Sequence, residues 1–139
     1  MKILKIHSLE KGWQETDEMI LHSVMQLLVD YVEKQKPGEV VDWSWRDDYA
    51  EAWDVIQDTY DWWVNRRPAR VDPLDGIDSP DDYFTLGEPD EHGNRLVIWG
   101  DYPEIHEAHL NATKVEQEWY EQDTEMIQRV VRIRHFLWT

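Results

Sequence analysis

Nine tryptophans and a formal charge of −16 share a chain of 139 residues. The two make opposite demands. Each aromatic ring that leaves water takes roughly 150–250 Å² of surface with it, so the rings favour an interior. The 30 acidic side chains, set against 14 basic ones, must stay wet. Elements with one aromatic and one carboxylate face satisfy both, and the spacing along this chain is mostly helical. At about 25 cal/mol per Å², several buried rings hold a small fold together. A chain of 139 residues suits one domain that buries most of its unfolded surface.

The clearest helix covers residues 16–36, with Thr16 or Asp17 as cap and Pro37-Gly38 as stop. Ile20, Val24, Leu27, Leu28 and Tyr31 form its buried stripe, widened by Leu21, Met25 and Val32. A second helix is expected over 47–65, ended by Arg66-Arg67-Pro68. Its core spacing runs through Tyr49, Trp53, Ile56, Tyr60 and Trp63, with Ala52 and Val64 beside them. Trp62 falls off that stripe and reads as a partner contact. Pro103 suits a first helical turn. A long helix follows to about residue 136 through Ile105, Ala108, Ala112, Val115, Trp119, Met126, Ile127, Val130 and Ile133.

Residues 68–100 are a proline- and aspartate-rich loop, in which 83–86 and 96–99 can pair as a hairpin across 91–94. Residues 2–7 read as a short strand or extended arm. The expected fold is mainly α: a three-helix, α-rich single domain over 1–139. A small β-hairpin or irregular acidic loop precedes its last helix.

Without cysteine there is no disulfide, thiolate zinc site or thiol nucleophile. No apolar run approaches the ~18 residues of a membrane span, and the N-terminus lacks the apolar core of a signal peptide. These features read as a soluble intracellular protein. The acidity is concentrated in residues 39–128, which hold 24 acidic and six basic groups, while residues 129–139 carry a net +3. Such a field repels nucleic acid and anionic membrane and attracts a basic protein surface.

Several groupings invite chemistry. His106 and His109 lie one helical turn apart beside Glu104 and Glu107, and Glu18 and His22 lie four apart on the first helix. They are a candidate metal set, although neither the metalloprotease nor the di-iron spacing is present. Asp72, Asp75, Gly76, Asp78, Asp81 and Asp82 lack the register of an EF-hand and read as a solvated loop. No nucleophile elbow, phosphate loop or dinucleotide fingerprint occurs. No catalytic residue and no cofactor is implied. On the second helix, Asp47, Asp48, Glu51, Asp54, Asp58 and Asp61 recur every few residues and could imitate a row of phosphates for arginine and lysine to read. Trp43, Trp45 and Trp62 fit no core stripe and are candidate apolar anchors beside that row.

Five stretches also carry a resemblance. They are 28–34 (LVDYVEK), 52–53 (AW), 60–63 (YDWW), 123–126 (DTEM) and 133–139 (IRHFLWT). The chain resembles an uncharacterised family of small acidic, tryptophan-rich proteins encoded by tailed bacteriophages, with residues 70–100 matching least. The resemblance implies a phage product in the cytoplasm of a bacterial host and transfers no site residue. The leading expectation is an accessory protein that binds and inhibits a basic, nucleic-acid-handling host protein, as a DNA mimic or an anti-defence factor. It would touch neither nucleic acid nor membrane directly. The second expectation is a virion or assembly component that self-associates or docks on phage proteins. The third is a metal-dependent enzyme at His106 and His109.

Overall fold

The computed structural model describes residues 3–138; Met1 and Lys2 of the expected arm, and Thr139, lie outside them. Of the described residues, 59% are helical and 4% are in strands. In order come α1 (Thr16–Gln35), α2 (Pro37–Val40), α3 (Asp47–Asp61), strands β1 (Phe84–Leu86) and β2 (Val97–Trp99), and α4 (Pro103–Arg132). A mainly helical fold with a hairpin before its last helix is what the sequence pattern calls for. By its internal packing the chain gathers into two compact units. A helical unit comprises Met1–Arg70 with Tyr120–Thr139, and a hairpin unit comprises Val71–Trp119. The proline-rich segment packs about its own hairpin, where Tyr83 and Ala112 are the buried apolar residues among those described.

In the helical unit, Leu21, Met25, Leu28 and Tyr31 of α1 meet Ala52 and Ile56 of α3, Trp43, Trp62, Met126 and Val130. Both stripes are rotated from their sequence-derived positions. On α1, Ile20 and Leu27 are 53% and 56% exposed, while His22 and Gln26 are buried. The polar pair is tolerated because each finds a partner. His22 Nδ1 lies 2.7 Å from Ser8 Oγ, and Gln26 accepts from the His7 amide and donates to Asp30. On α3 the fully buried line is Ala52, Ile56, Thr59 and Trp62. Tyr49, Trp53, Tyr60 and Trp63 pack half-buried at its margins. Tyr60 can then keep its hydroxyl on Glu33, at 2.8 Å.

The ends of these helices follow from backbone chemistry. Lys36 closes α1 with φ of 47°, and Pro37 opens the short α2 at a position where no N–H is needed. Pro68 cannot continue the ladder of α3. The chain widens into a π turn over Trp62–Arg66, then tightens to a 3-10 turn over Arg67–Ala69. These turns deliver Arg67 and Arg70 to Asp123, at 3.0 and 2.8 Å. Arg67 also lies over the Trp63 ring and Arg70 over Trp62. Burial pushes the Asp123 carboxyl up, but the two guanidiniums outweigh it and hold it below the usual carboxylate value.

The last helix runs unbroken for 30 residues, then closes in a 3-10 turn over Arg134–Phe136. The ring of Phe136 meets Tyr49 edge-on at 5.2 Å, and its carbonyl accepts from the Tyr31 hydroxyl.

Candidate interaction surfaces

The acidic row of α3 is real, but the protein's own arginines occupy part of it. Arg46 pairs with Asp48, Arg66 with Asp58 and Asp61, and Arg129 donates to Asp58 at 2.6 Å. The Arg129 bond, with Arg66 beside it, holds the Asp58 carboxyl below its ordinary value despite some burial. Asp47, Glu51 and Asp54 are exposed and form no ion pair among the described residues. The charge that remains for a partner on this helix is about half of what its sequence shows.

The expected anchors divide more sharply. Trp62 is 2% exposed, which overturns its reading as a partner contact. The buried line of α3 runs one position away from the stripe of large aromatics, and Trp62 continues that line. Trp43 is buried too: its indole N–H donates to the Pro37 carbonyl at 3.0 Å, and its ring stacks on Trp53 at 5.0 Å. Both are core residues. Only Trp45 of the three is open, at 62%, with Arg46 lying over its ring.

The histidine pair belongs to the hairpin unit. His106 Nδ1 lies 3.4 Å from the Tyr83 hydroxyl, with its ring edge-on to Trp99. His109 stacks on Tyr83, and its Nε2 is 3.1 Å from Ser79 Oγ. Both rings serve the packing of Tyr83, and no group of three or more His, Asp or Glu side chains among the described residues is placed to hold a metal ion. In the aspartate loop, Asp72 Oδ1 accepts from the Leu74 amide, and Gly76 takes φ of 77°. Those are the contacts of a turn.

Sequence reasoning missed an open apolar surface on the hairpin. In the hairpin, Phe84 lies opposite Trp99 and Leu86 opposite Val97, so these four side chains share one face. They are 46–57% exposed. Leu96 and Ile98 are exposed as well, at 80% and 54%. Apolar residues on both sides of an open ribbon mark a binding surface more than a fold requirement. The continuous run Leu96-Val97-Ile98-Trp99 is the signal that could have shown it, since a strand with one solvated face should alternate. Around it, the hairpin unit holds 13 acidic and two basic side chains, a net −11, against −5 for the helical unit. The excess charge of the molecule therefore sits mainly in the unit that carries this face.

In the helical unit, His22 links two segments: Ser8 lies at its Nδ1, and Glu18 is 3.4 Å from its Nε2. With the His7 amide on Gln26, this bond pins the N-terminal segment to α1. Burial lowers the proton affinity of His22 below its ordinary value of 6.5, and Arg67 adds to that, while Glu18 and Asp123 oppose it. The unfolded chain thus binds this proton more readily than the folded one. The stability His22 contributes is complete above about pH 6.5 and is lost as the pH falls toward the depressed folded value, by at most about 1.4 kcal/mol per pH unit. Urea unfolding at pH 7 and pH 5 should show a steeper loss for the native chain than for His22→Asn. Equal losses would mean that this ring is not the titrating group.

No protein-family model, curated protein or solved structure matches this chain.

Proposed function

We propose that this protein is an acidic binding protein that occupies the basic, nucleic-acid-handling surface of another protein and thereby inhibits it. One observation carries the reading. A unit of net charge −11 exposes an apolar face of Phe84, Leu86, Val97 and Trp99. Carboxylates steer a basic surface into encounter and set its orientation. Desolvated aromatic and aliphatic groups then supply most of the affinity. The acids of α3 are the weaker lure, because Arg46, Arg66 and Arg129 already hold three of them. A second copy of the chain is a poor occupant, since two such units repel. A phage-encoded accessory protein acting on a host factor is the form of this reading that the sequence resemblance supports.

The test is capture on the immobilised full chain from bacterial lysate, eluted with salt and followed by mass spectrometry. The expected result is a basic protein whose nucleic-acid binding the purified chain inhibits in a titration. Its affinity should fall at least about tenfold between about 50 and about 200 mM salt, as screening shortens the reach of the field. The double variant Asp81→Asn with Glu88→Gln should weaken capture more than Glu51→Gln with Asp54→Asn. If no basic protein is retained at low salt, or the captured protein binds nucleic acid undisturbed, the reading fails.

A further inference from the structure

The hairpin is a ribbon of two strands, so each strand has one edge without a neighbour in the sheet. The register decides which backbone groups face outward. The Gly87 amide donates to the Leu96 carbonyl at 2.8 Å, and the Gly100 amide to the Tyr83 carbonyl at 2.9 Å. Phe84–Trp99 and Leu86–Val97 are therefore the non-hydrogen-bonded pairs of the ladder. The N–H and C=O groups of Phe84 and Leu86 point out from β1, and those of Val97 and Trp99 point out from β2. A row of such groups is a template for another strand. Two strands alone are marginal, and a third adds to their stability.

Charge separates the two edges. β1 is bounded by Asp81 and Asp82 on one side and by Glu88 and Asp90 on the other, whereas β2 is bounded by Arg95 and Asp101. A cationic strand laid along β1 meets carboxylates at both ends, while along β2 it meets a guanidinium at one. The residues of both strands are exposed throughout, so charge alone separates the edges.

We infer that the outer edge of β1 accepts, as a third strand, an extended segment of a partner protein in which basic and apolar residues alternate. The inference rests on the function proposed above and specifies how its partner is held. Main-chain hydrogen bonds to Phe84 and Leu86 carry the pairing, and alternate side chains carry the choice of sequence. The apolar side chains of the segment extend the face of Phe84, Leu86, Val97 and Trp99. Its basic residues at either end meet the carboxylates that bound β1.

Two labelled peptides test this on the full chain. One is Lys-Val-Lys-Val-Lys-Val-Lys, and the other has proline in place of the central valine, with the same charge. Fluorescence anisotropy should show the first binding about tenfold more tightly or better, because proline removes a strand donor. Hydrogen exchange should show new protection at the amides of Phe84 and Leu86 and not at those of Val97 and Trp99. Leu86→Pro deletes an outward N–H while leaving the hairpin's own bonds in place, so it should abolish the preference between peptides. Val97→Pro makes the same deletion on the other edge and should retain it. Equal affinity for the two peptides, including binding of neither, overturns strand addition. Protection at Val97 and Trp99 instead overturns the choice of edge. Recognition of a basic partner stands or falls separately, on the capture and its salt release.

Discussion

Asp123→Ala is expected to lower the unfolding free energy by about 3 kcal/mol, the low end of the loss from breaking a buried ion pair from one side, because this pair is partly buried. The Asp123 side chain is 14% exposed, and its partners Arg67 and Arg70 are 22% and 15% exposed. A guanidinium cannot shed its proton. Removing the carboxylate takes the counter-charge from two guanidiniums that lie over the Trp62 and Trp63 rings, with Arg70 keeping its bond to Gln122. Asp48→Ala is the control, because Asp48 and its partner Arg46 are 44% and 56% exposed. A pair so open contributes about 0–1 kcal/mol. Urea unfolding followed by tryptophan fluorescence separates the two. Equal midpoints would show that the Asp123 cluster is better hydrated than its exposure says. The same carboxyl has a depressed proton affinity, so its contribution is present above the ordinary carboxylate value and is lost as the pH falls through the folded one.

Trp62→Ala should be comparably damaging, at about 3–5 kcal/mol. Its ring is 2% exposed, touches Trp63 and lies under Arg70. Truncation leaves a cavity at the point where the π turn of Trp62–Arg66 begins, and removes the surface on which Arg70 rests. Trp45→Ala, at a ring 62% exposed, should change stability by no more than about 0.5 kcal/mol. The pair distinguishes core from surface among residues that read alike in the sequence. If Trp62→Ala unfolds at the same urea concentration as the native chain, the ring is not part of the core. If Trp45→Ala is the more damaging of the two, the assignment of both rings is reversed.

Much of the fold is legible in the chain, because punctuation and periodicity are local. Pro37-Gly38 ends α1 within one residue of the expected place, Pro103 opens α4, and the apolar repeat through Ala112, Met126 and Val130 lies on its buried side. The hairpin also pairs close to where its apolar runs place it. The net charge needs only a count.

Which face of each helix turns inward was settled by tertiary contact. Helical periodicity defines a stripe to within about one position either way, and large aromatics draw the eye to its margins. The buried line of α3 instead runs through Ala52, Ile56 and Thr59 to Trp62, while Ile20 and Leu27 of α1 are exposed. Likewise, a list of carboxylates on α3 does not reveal that Arg66 and Arg129 return to neutralise it from 8 and 71 residues away. The sequence by itself determined that this protein is helical, acidic and rich in rings to bury. Only the tertiary structure decided which rings are buried and which carboxylates the chain's own arginines already hold. Pairings between distant residues decide those matters, and no local spacing encodes them.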